Sequence, residues 1–267
     1  MHSNNGSRTN TSKFTEHAAS HILKRASPFV LDHINNSDGP LLNKMNRHGY
    51  YHIERLVKST FTNCNIKKIR QVYAPPMYGM YLLHKEESRM QGVQEKLLFH
   101  VTTESSAMES LETGLDWRRT QRAKFGCGVS FSDDADYANY YANSSPYQGI
   151  RVIMLCCSLV GETYVPQETF ARSLIIPPDS ADTTMSNDGR VYVKYNDYEF
   201  YPLFFVYYKL RREHLIGSKY FRRNNRKTQM QLDFLERMTA VEDNDGENGE
   251  FPPDPDFSST APTNEFL

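Results

Sequence analysis

The sequence predicts an α+β domain that is rich in strand. The 267-residue chain contains 17 Tyr and 15 Phe, and aromatic residues at this density favour a sheet over a helical bundle. Segments of strand length, either strongly apolar or alternating, recur between about residues 66 and 210. Shorter segments with helical periodicity separate them, so strands and helices share one ordered core.

The first half of the core has one clear helical face and one alternating strand. Ile53, Leu56 and Val57 are spaced to share a helical face, and Gly114 is a typical helix end. The predicted elements, in chain order, are a loop over 28–47, a helix over 50–60, a strand over 66–73, a break at Pro75-Pro76, a helix over 77–90, a strand over 96–103 and a helix over 105–115.

Glycines and acidic residues mark the ends of elements in the second half of the predicted core. Asp133 and Asp134 open a short helix, where negative charge suits the helix dipole. The predicted elements are a Gly-rich turn and strand over 124–132, a helix over 133–142, a strand over 149–161, a loop over 166–189, strands over 190–197 and 202–210, and a short helix over 228–238.

Composition divides the chain into four parts. Residues 1–47 are mostly polar and predicted to be disordered apart from a short helix over 14–26. The folded domain is predicted over 48–215, followed by a basic segment with a short helix over 216–241. Residues 242–267 form an acidic tail with seven acids, no bases and three prolines before Phe257, which predicts disorder.

The bulk charge gives little indication of partners. The formal net charge is −1, so no global attraction to nucleic acid or an anionic membrane is expected. The eight Lys and Arg between residues 209 and 227 leave open a solvated surface, pairing with the acidic tail, or binding of nucleic acid or an acidic partner. No metal-ligand spacing, secretory signal or membrane-spanning apolar run occurs, which predicts a nuclear or cytoplasmic protein.

Three motifs occur in a characteristic order. LLFHVTT (97–103) precedes a helix that ends GLDWR, FGCGVSFSDDADYANYYA (125–142) follows, and RVYVKYNDYEFYPLFFVYY (190–208) comes last. This order resembles the catalytic domain of the poly(ADP-ribose) polymerase (PARP) family across about 66–210. The resemblance implies a split, antiparallel-rich sheet with flanking helices. The LDWR and SDDADYANYY segments look most like the mono-ADP-ribosylating branch.

The resemblance also implies a chemistry. PARP enzymes cleave the nicotinamide–ribose bond of NAD through an oxocarbenium-like transition state and transfer ADP-ribose to a protein acceptor. Backbone groups beside a His and a Ser hydroxyl hold the nicotinamide amide, and two Tyr rings sandwich the ring. The His binds the ribose. In the polymerising members, a Glu polarises the acceptor and stabilises developing positive charge.

Several of the matching positions carry a different residue here. His100 matches the ribose-binding His, and Tyr141 matches the second sandwich Tyr. Val101 stands where the family has Gly, and its branched side chain is expected to crowd the pocket. Ser130 stands in place of the first sandwich Tyr, and Ala138 in place of the Ser hydroxyl. NAD binding is therefore expected to be weakened.

The remaining positions concern the transfer reaction and the replacement of the missing aromatic ring. Val191 falls near the Glu position, and an apolar residue there argues against chain elongation while leaving single transfer possible. Arg118 matches an Arg on the adenosine side. Tyr137 or Tyr140 is a candidate to replace the missing ring. Glu199 is expected in a solvated loop, from which it could in principle reach the cleft.

Two functions therefore stay open. The first is an NAD-dependent mono-ADP-ribosyltransferase of weak activity that modifies protein side chains. The second is an inactive PARP-like module that binds a protein or nucleic acid. Family resemblance favours the first, whereas the residues at Val101, Ser130 and Ala138 favour the second.

Overall fold

The computed structural model of the protein describes residues 41–115, 124–142, 150–167, 171, 173–221 and 232–233. The described strands are β1 (Leu42–Lys44), β2 (Ile66–Val72), β3 (Gln94–Thr103), β4 (Val129–Ser132), β5 (Ile150–Val160), β6 (Thr163–Tyr164), β7 (Thr183–Met185), β8 (Val191–Lys194) and β9 (Phe200–Lys209). The described helices are α1 (Arg47–Thr60), α2 (Pro75–Ser88), α3 (Glu104–Thr113), α4 (Ala135–Tyr141) and α5 (Arg212–Ile216), with 3₁₀ turns at Arg89–Gln91 and Asp197–Glu199.

These strands form one sheet in the order β1-β2-β9-β5-β3-β4-β8-β7-β6. Every neighbouring pair in it is antiparallel except β6 and β7, which are parallel. The longest strands, β5, β3 and β9, lie together at its centre. The predicted α+β class, with an antiparallel-rich sheet and flanking helices, is confirmed.

Two apolar clusters lie on the two faces of the sheet. Alternation along β5 puts Val152 and Met154 in the first core cluster and Ile153 and Leu155 in the second. Side chains of α2 and α3 pack in the first core cluster. Those of α1, α4 and α5 pack in the second, so both faces of the central strands are covered.

The helices begin where the sequence supplies a cap. The side chains of Asn46, Thr103 and Asp134 each accept a hydrogen bond from a backbone N–H in the first turn of α1, α3 and α4, which satisfies donors that a helix start leaves free. The two longest described helices have 14 residues each. Within the described ranges, no helix is long and apolar enough to cross a membrane.

Most element predictions are confirmed with small shifts of their ends, and the loop predictions over 28–47 and 166–189 are wrong in part. The strand ends before Pro75 and Pro76 as predicted, and these prolines also begin α2, because proline fits the first turn of a helix. Strands β1 and β7 lie in the segments predicted as loops, and α5 lies in the basic stretch. The segments 1–40, 222–231 and 234–267, with the predicted helix over 14–26 and most of that over 228–238, lie outside the described residues.

The Gly-rich turn before β4 passes very close to β8. A Cβ on Gly128 would lie 2.4 Å from the carbonyl oxygen of Lys194. A Cβ on Gly126 would lie 1.9 Å from the hydroxyl of Tyr195, and this glycine has a φ of +119°. Both positions need glycine, because only a residue without a side chain lets the turn approach β8 so closely.

Replacing either glycine with alanine is expected to destabilise the protein. We expect Gly128→Ala to lower the free energy of unfolding by about 2 kcal/mol or more, because its contact is with backbone that cannot move aside cheaply. Gly79→Ala is the control: nothing lies within 4 Å of its Cβ position inside α2, and it should raise stability by about 0.5–1 kcal/mol. Urea unfolding of the three proteins measures the difference, and equal stability of Gly128→Ala and wild type would contradict the close approach.

Candidate functional site

Strands β3 and β4 separate after a single pair of residues. Phe99 and Ser132 are in register, whereas β3 stays paired with β5 along ten residues and β4 with β8 along four. Beyond Phe99 a side chain bridges the two strands, because His100 Nδ1 lies 2.9 Å from the carbonyl oxygen of Ser130. The sheet splits at this point, and the gap has His100 on one side and Ser130 on the other.

The hydrogen bond from His100 to Ser130 fixes which nitrogen of the imidazole ring carries the proton. A carbonyl oxygen can only accept, so Nδ1 carries the proton. The neutral ring then presents the lone pair of Nε2, which can accept a hydrogen bond from a hydroxyl group. Burial lowers the pKa of His100 below 6.5, although the bond to Ser130 works in the opposite direction. The half-buried ring is therefore neutral near pH 7.

The side chain of Val101 points away from His100. Alternation along β3 places Leu98 on the His100 face and Phe99 with Val101 on the other. Val101 is 6% exposed and packs in the second core cluster. Its branched side chain is thus part of the core.

Helix α4 presents Ala138 and Tyr141 from the other face of the sheet. Both are half-buried against the second core cluster, and α4 contacts both β3 and β4. The ring of Tyr141 lies 4.4 Å from that of Tyr137 and 4.9 Å from that of Tyr140. A ligand that contacts both Tyr141 and His100 would have to lie in the gap between β3 and β4, where the two faces of the sheet meet.

Val191 lies at the end of the split, on β8. It is buried and in register with Ser132, and its backbone N–H donates to Ser186 Oγ at 3.0 Å. The apolar side chain can offer no hydrogen bond to a reacting group. Arg118, the predicted residue on the adenosine side, lies outside the described residues.

Buried polar groups fix α4 in place. The backbone oxygen and Oδ1 of Asn139 each accept from an N–H of Arg151 on β5, both at 2.9 Å. The hydroxyl of Tyr208 on β9 also donates to Asn139 Oδ1. Because Asn139, Arg151 and Tyr208 are buried, these bonds are costly to break. They attach α4 to the two central strands.

This arrangement agrees with the comparison with protein families. The family model of the poly(ADP-ribose) polymerase catalytic domain matches residues 47–201, more than half of the chain. The chain belongs to the PARP family. No curated protein matches it significantly. The match begins at the first residue of α1, ends in β9, and includes each candidate position from His100 to Val191.

The PARP family uses NAD⁺ as a substrate, and membership implies an NAD-dependent ADP-ribosyltransferase domain. The expected family and its fold are thus confirmed. The residues of α5 and of segment 217–221 lie beyond the matched part of the chain.

Glu199 is buried, which corrects the prediction of a solvated charge. It lies in the 3₁₀ turn at Asp197–Glu199, and its Oε2 is 3.2 Å from the Nζ of Lys194. Burial raises the pKa of Glu199, and the Lys194 ammonium opposes that rise. Lys194 is fully buried and also donates to Thr183 Oγ1 at 2.7 Å and Asp182 Oδ1 at 3.0 Å.

Lys194 was not anticipated as a buried charge. It ends an apolar strand, where a lysine normally turns outward to solvent. Its environment is made by β7 and the 3₁₀ turn, and β7 was predicted as loop. One signal was present: Tyr192 and Lys194 alternate with Val191 and Val193, so Lys194 shares a face with an aromatic residue.

We expect His100 to titrate below the ordinary histidine range. Its folded-state pKa is lowered, so its contribution to stability is present above pH 6.5 and is lost as pH falls below that value. NMR titration of the ring measures this directly, with His100→Asn to assign the signal. A pKa above 6.5 would contradict the lowered pKa of the ring, and a pKa above 7 would mean that the ring is mostly charged at neutral pH and that Nε2 is a donor.

Removing the buried Lys194 ammonium should make the protein less stable. Lys194→Met removes the ammonium that contacts the carboxylates of Asp182 and Glu199, which should lower the free energy of unfolding by about 3–5 kcal/mol. Lys96→Met is the matched control, since Lys96 lies half-buried over the ring of Tyr192 and should cost less than about 1 kcal/mol.

Chemical denaturation compares these variants with Lys194→Met/Glu199→Gln. The double change removes one of the uncompensated charges and should recover part of the loss. A Lys194→Met protein as stable as the Lys96→Met control would contradict the buried ion cluster.

Proposed function

We propose that this PARP domain is a mono-ADP-ribosyltransferase with weak NAD⁺ binding and slow transfer to protein side chains. The observation that carries the proposal is the state of His100. With Nδ1–H donated to the Ser130 carbonyl, Nε2 of the neutral ring accepts from a ribose hydroxyl and orients the sugar for cleavage of the bond to nicotinamide.

Val191 supports single transfer over chain elongation. By the family resemblance it falls near the Glu position of the polymerising members, and its buried apolar side chain cannot polarise a ribose hydroxyl of a growing polymer. The acceptor in this proposal is a nucleophilic protein side chain.

The weak binding of NAD⁺ follows from the residues that would flank the nicotinamide ring. Sandwiching a ring between two others needs their centres about 7 Å apart, twice a carbon–carbon contact of ~3.5 Å. The rings of Tyr137 and Tyr141 are 4.4 Å apart, so Tyr137 cannot act as the missing wall without moving. Ser130 and Ala138 supply neither the ring nor the hydroxyl that the family uses at these positions.

The same geometry favours a second candidate, an inactive PARP-like module that binds a partner protein or nucleic acid. The closed Tyr137–Tyr141 pair is the specific observation in its favour, because it leaves no slot for nicotinamide between these two rings. Measurement of NAD⁺ binding separates the two.

Restoring the family residues should strengthen NAD⁺ binding. Val101 is kept because its side chain fills the core, so the variant is Ser130→Tyr/Ala138→Ser. The added ring and the added hydroxyl should each contribute about 0.5–1.5 kcal/mol, which together corresponds to about 5- to 150-fold tighter binding. Isothermal titration calorimetry with NAD⁺ measures the gain over wild type.

Control variants test whether the gain in NAD⁺ affinity depends on His100. Leu97→Tyr adds a ring at an exposed position of β3 and should leave NAD⁺ affinity unchanged. His100→Ala in the restored variant should abolish most of the gain and stop release of nicotinamide. A restored variant that folds but does not bind NAD⁺ would favour the inactive module. Tight NAD⁺ binding by the wild type would refute the proposal of weak binding.

A further inference from the structure

The chain beyond the family match returns to α4. Residues 218–221 (Ser-Lys-Tyr-Phe) follow α5 and lie against the first turn of α4. The Nζ of Lys219 is 2.6 Å from Asp134 Oδ2, and the hydroxyl of Tyr220 donates to the same oxygen at 2.6 Å. The family match ends at residue 201, so this contact is made by a part of the chain outside it.

A second buried acid holds the backbone of the same segment. Asp136 Oδ2 accepts from Ser218 Oγ at 3.0 Å and from the backbone N–H of Lys219 at 3.2 Å. Burial raises the pKa of Asp136, and the hydrogen bond from Ser218 opposes the rise. The N-cap residue Asp134 and Asp136 in the first turn therefore hold three consecutive residues, which makes this a formed docking contact.

Tyr220 also connects α4 to the residue before Val191. The guanidinium of Arg190 donates to the Tyr220 hydroxyl at 2.5 Å and to Asp134 Oδ2 at 3.3 Å. On its other side, the Tyr220 ring meets that of Tyr137 edge-on at 4.9 Å and lies 6.2 Å from that of Tyr141. Tyr220 thus fills the space between β8, where Val191 begins the strand, and the aromatic face of α4.

We propose that Ser218–Phe221 is an intramolecular strap that covers the acceptor side of the candidate site and must leave before a protein acceptor can approach. The proposal rests on the proposed function, because Val191 marks the position where acceptor chemistry takes place. An acceptor protein that reaches this position between α4 and β8 meets Tyr220 first.

The contacts suit a segment that opens without global unfolding. Asp134 is nearly buried and accepts charge-assisted bonds, which are strong. The cations that donate to it, Lys219 and Arg190, are 53% and 42% exposed, so water and salt compete with them. A four-residue segment anchored in this way opens at a lower free energy than the core strands.

The test removes the strap contacts and leaves the chain at full length. Lys219→Ala/Tyr220→Ala deletes the two strap side chains that contact Asp134 and leaves Arg190 in place. Tyr220→Phe removes only the hydroxyl bonds, and Ile216→Ala is the matched control at an exposed position of α5. Iodination of Tyr137, mapped by mass spectrometry, reports whether its ring is covered. We expect labelling of Tyr137 to rise at least threefold in the double variant, less in Tyr220→Phe, and not at all in the control.

A second readout uses transfer chemistry. With a His100→Ala copy of the chain as the acceptor and labelled NAD⁺ as the donor, the double variant should transfer at least threefold faster than wild type. Hydrolysis of NAD⁺ to nicotinamide and ADP-ribose should change less than twofold, because water is small enough to pass the strap.

The two readouts separate the possible failures. Unchanged labelling of Tyr137 in the double variant would overturn the strap, whether or not the protein has activity. Increased labelling with measurable NAD⁺ hydrolysis and no faster transfer would also overturn it, since the segment would then serve only to pack α4. Absence of nicotinamide release from every variant would count against the proposed function, and the labelling would still decide whether the strap covers α4.

Discussion

The separation of β3 from β4 is the constraint on which the candidate site depends. Strand β4 stays paired with β8 along its whole length where it leaves β3, and the turn before it is pressed against the chain of β8 at Gly126 and Gly128. The ring of His100 on β3 then donates a hydrogen bond to the carbonyl of Ser130 on β4. The geometry of the sheet thus orients the side chain of His100 at the candidate site.

Helix α4 is the second half of the site, and polar groups decide where it lies. Asn139 receives hydrogen bonds from Arg151 and Tyr208 in the protein interior, while Asp134 and Asp136 receive bonds from the chain that follows α5. Apolar packing alone would let a helix of seven residues slide along the sheet. Directional bonds at several points fix the position of its tyrosines relative to the strands.

The sequence predicts what depends on local pattern. The helices around Ile53 and Ala107, the long apolar strand through Ile153 and the position of His100 near the end of a strand all follow from periodicity and motif order. Burial of Glu199 and Lys194 could not be predicted from local pattern. The Lys194 ammonium is compensated by Glu199 and Asp182, which reach it from the turn before β9 and from the chain before β7. The docking of Tyr220 on Asp134 likewise joins residues 86 positions apart.

The buried ammonium of Lys194 has a consequence for how this edge of the sheet folds. Desolvating that charge is unfavourable until its carboxylate partners have arrived, and they come from the chain before β7 and the turn before β9. An arrangement in which the ammonium is buried with only part of this cluster in place is therefore disfavoured. We therefore expect the strands around this cluster to open as a unit, so slow amide exchange there should be lost together and not residue by residue.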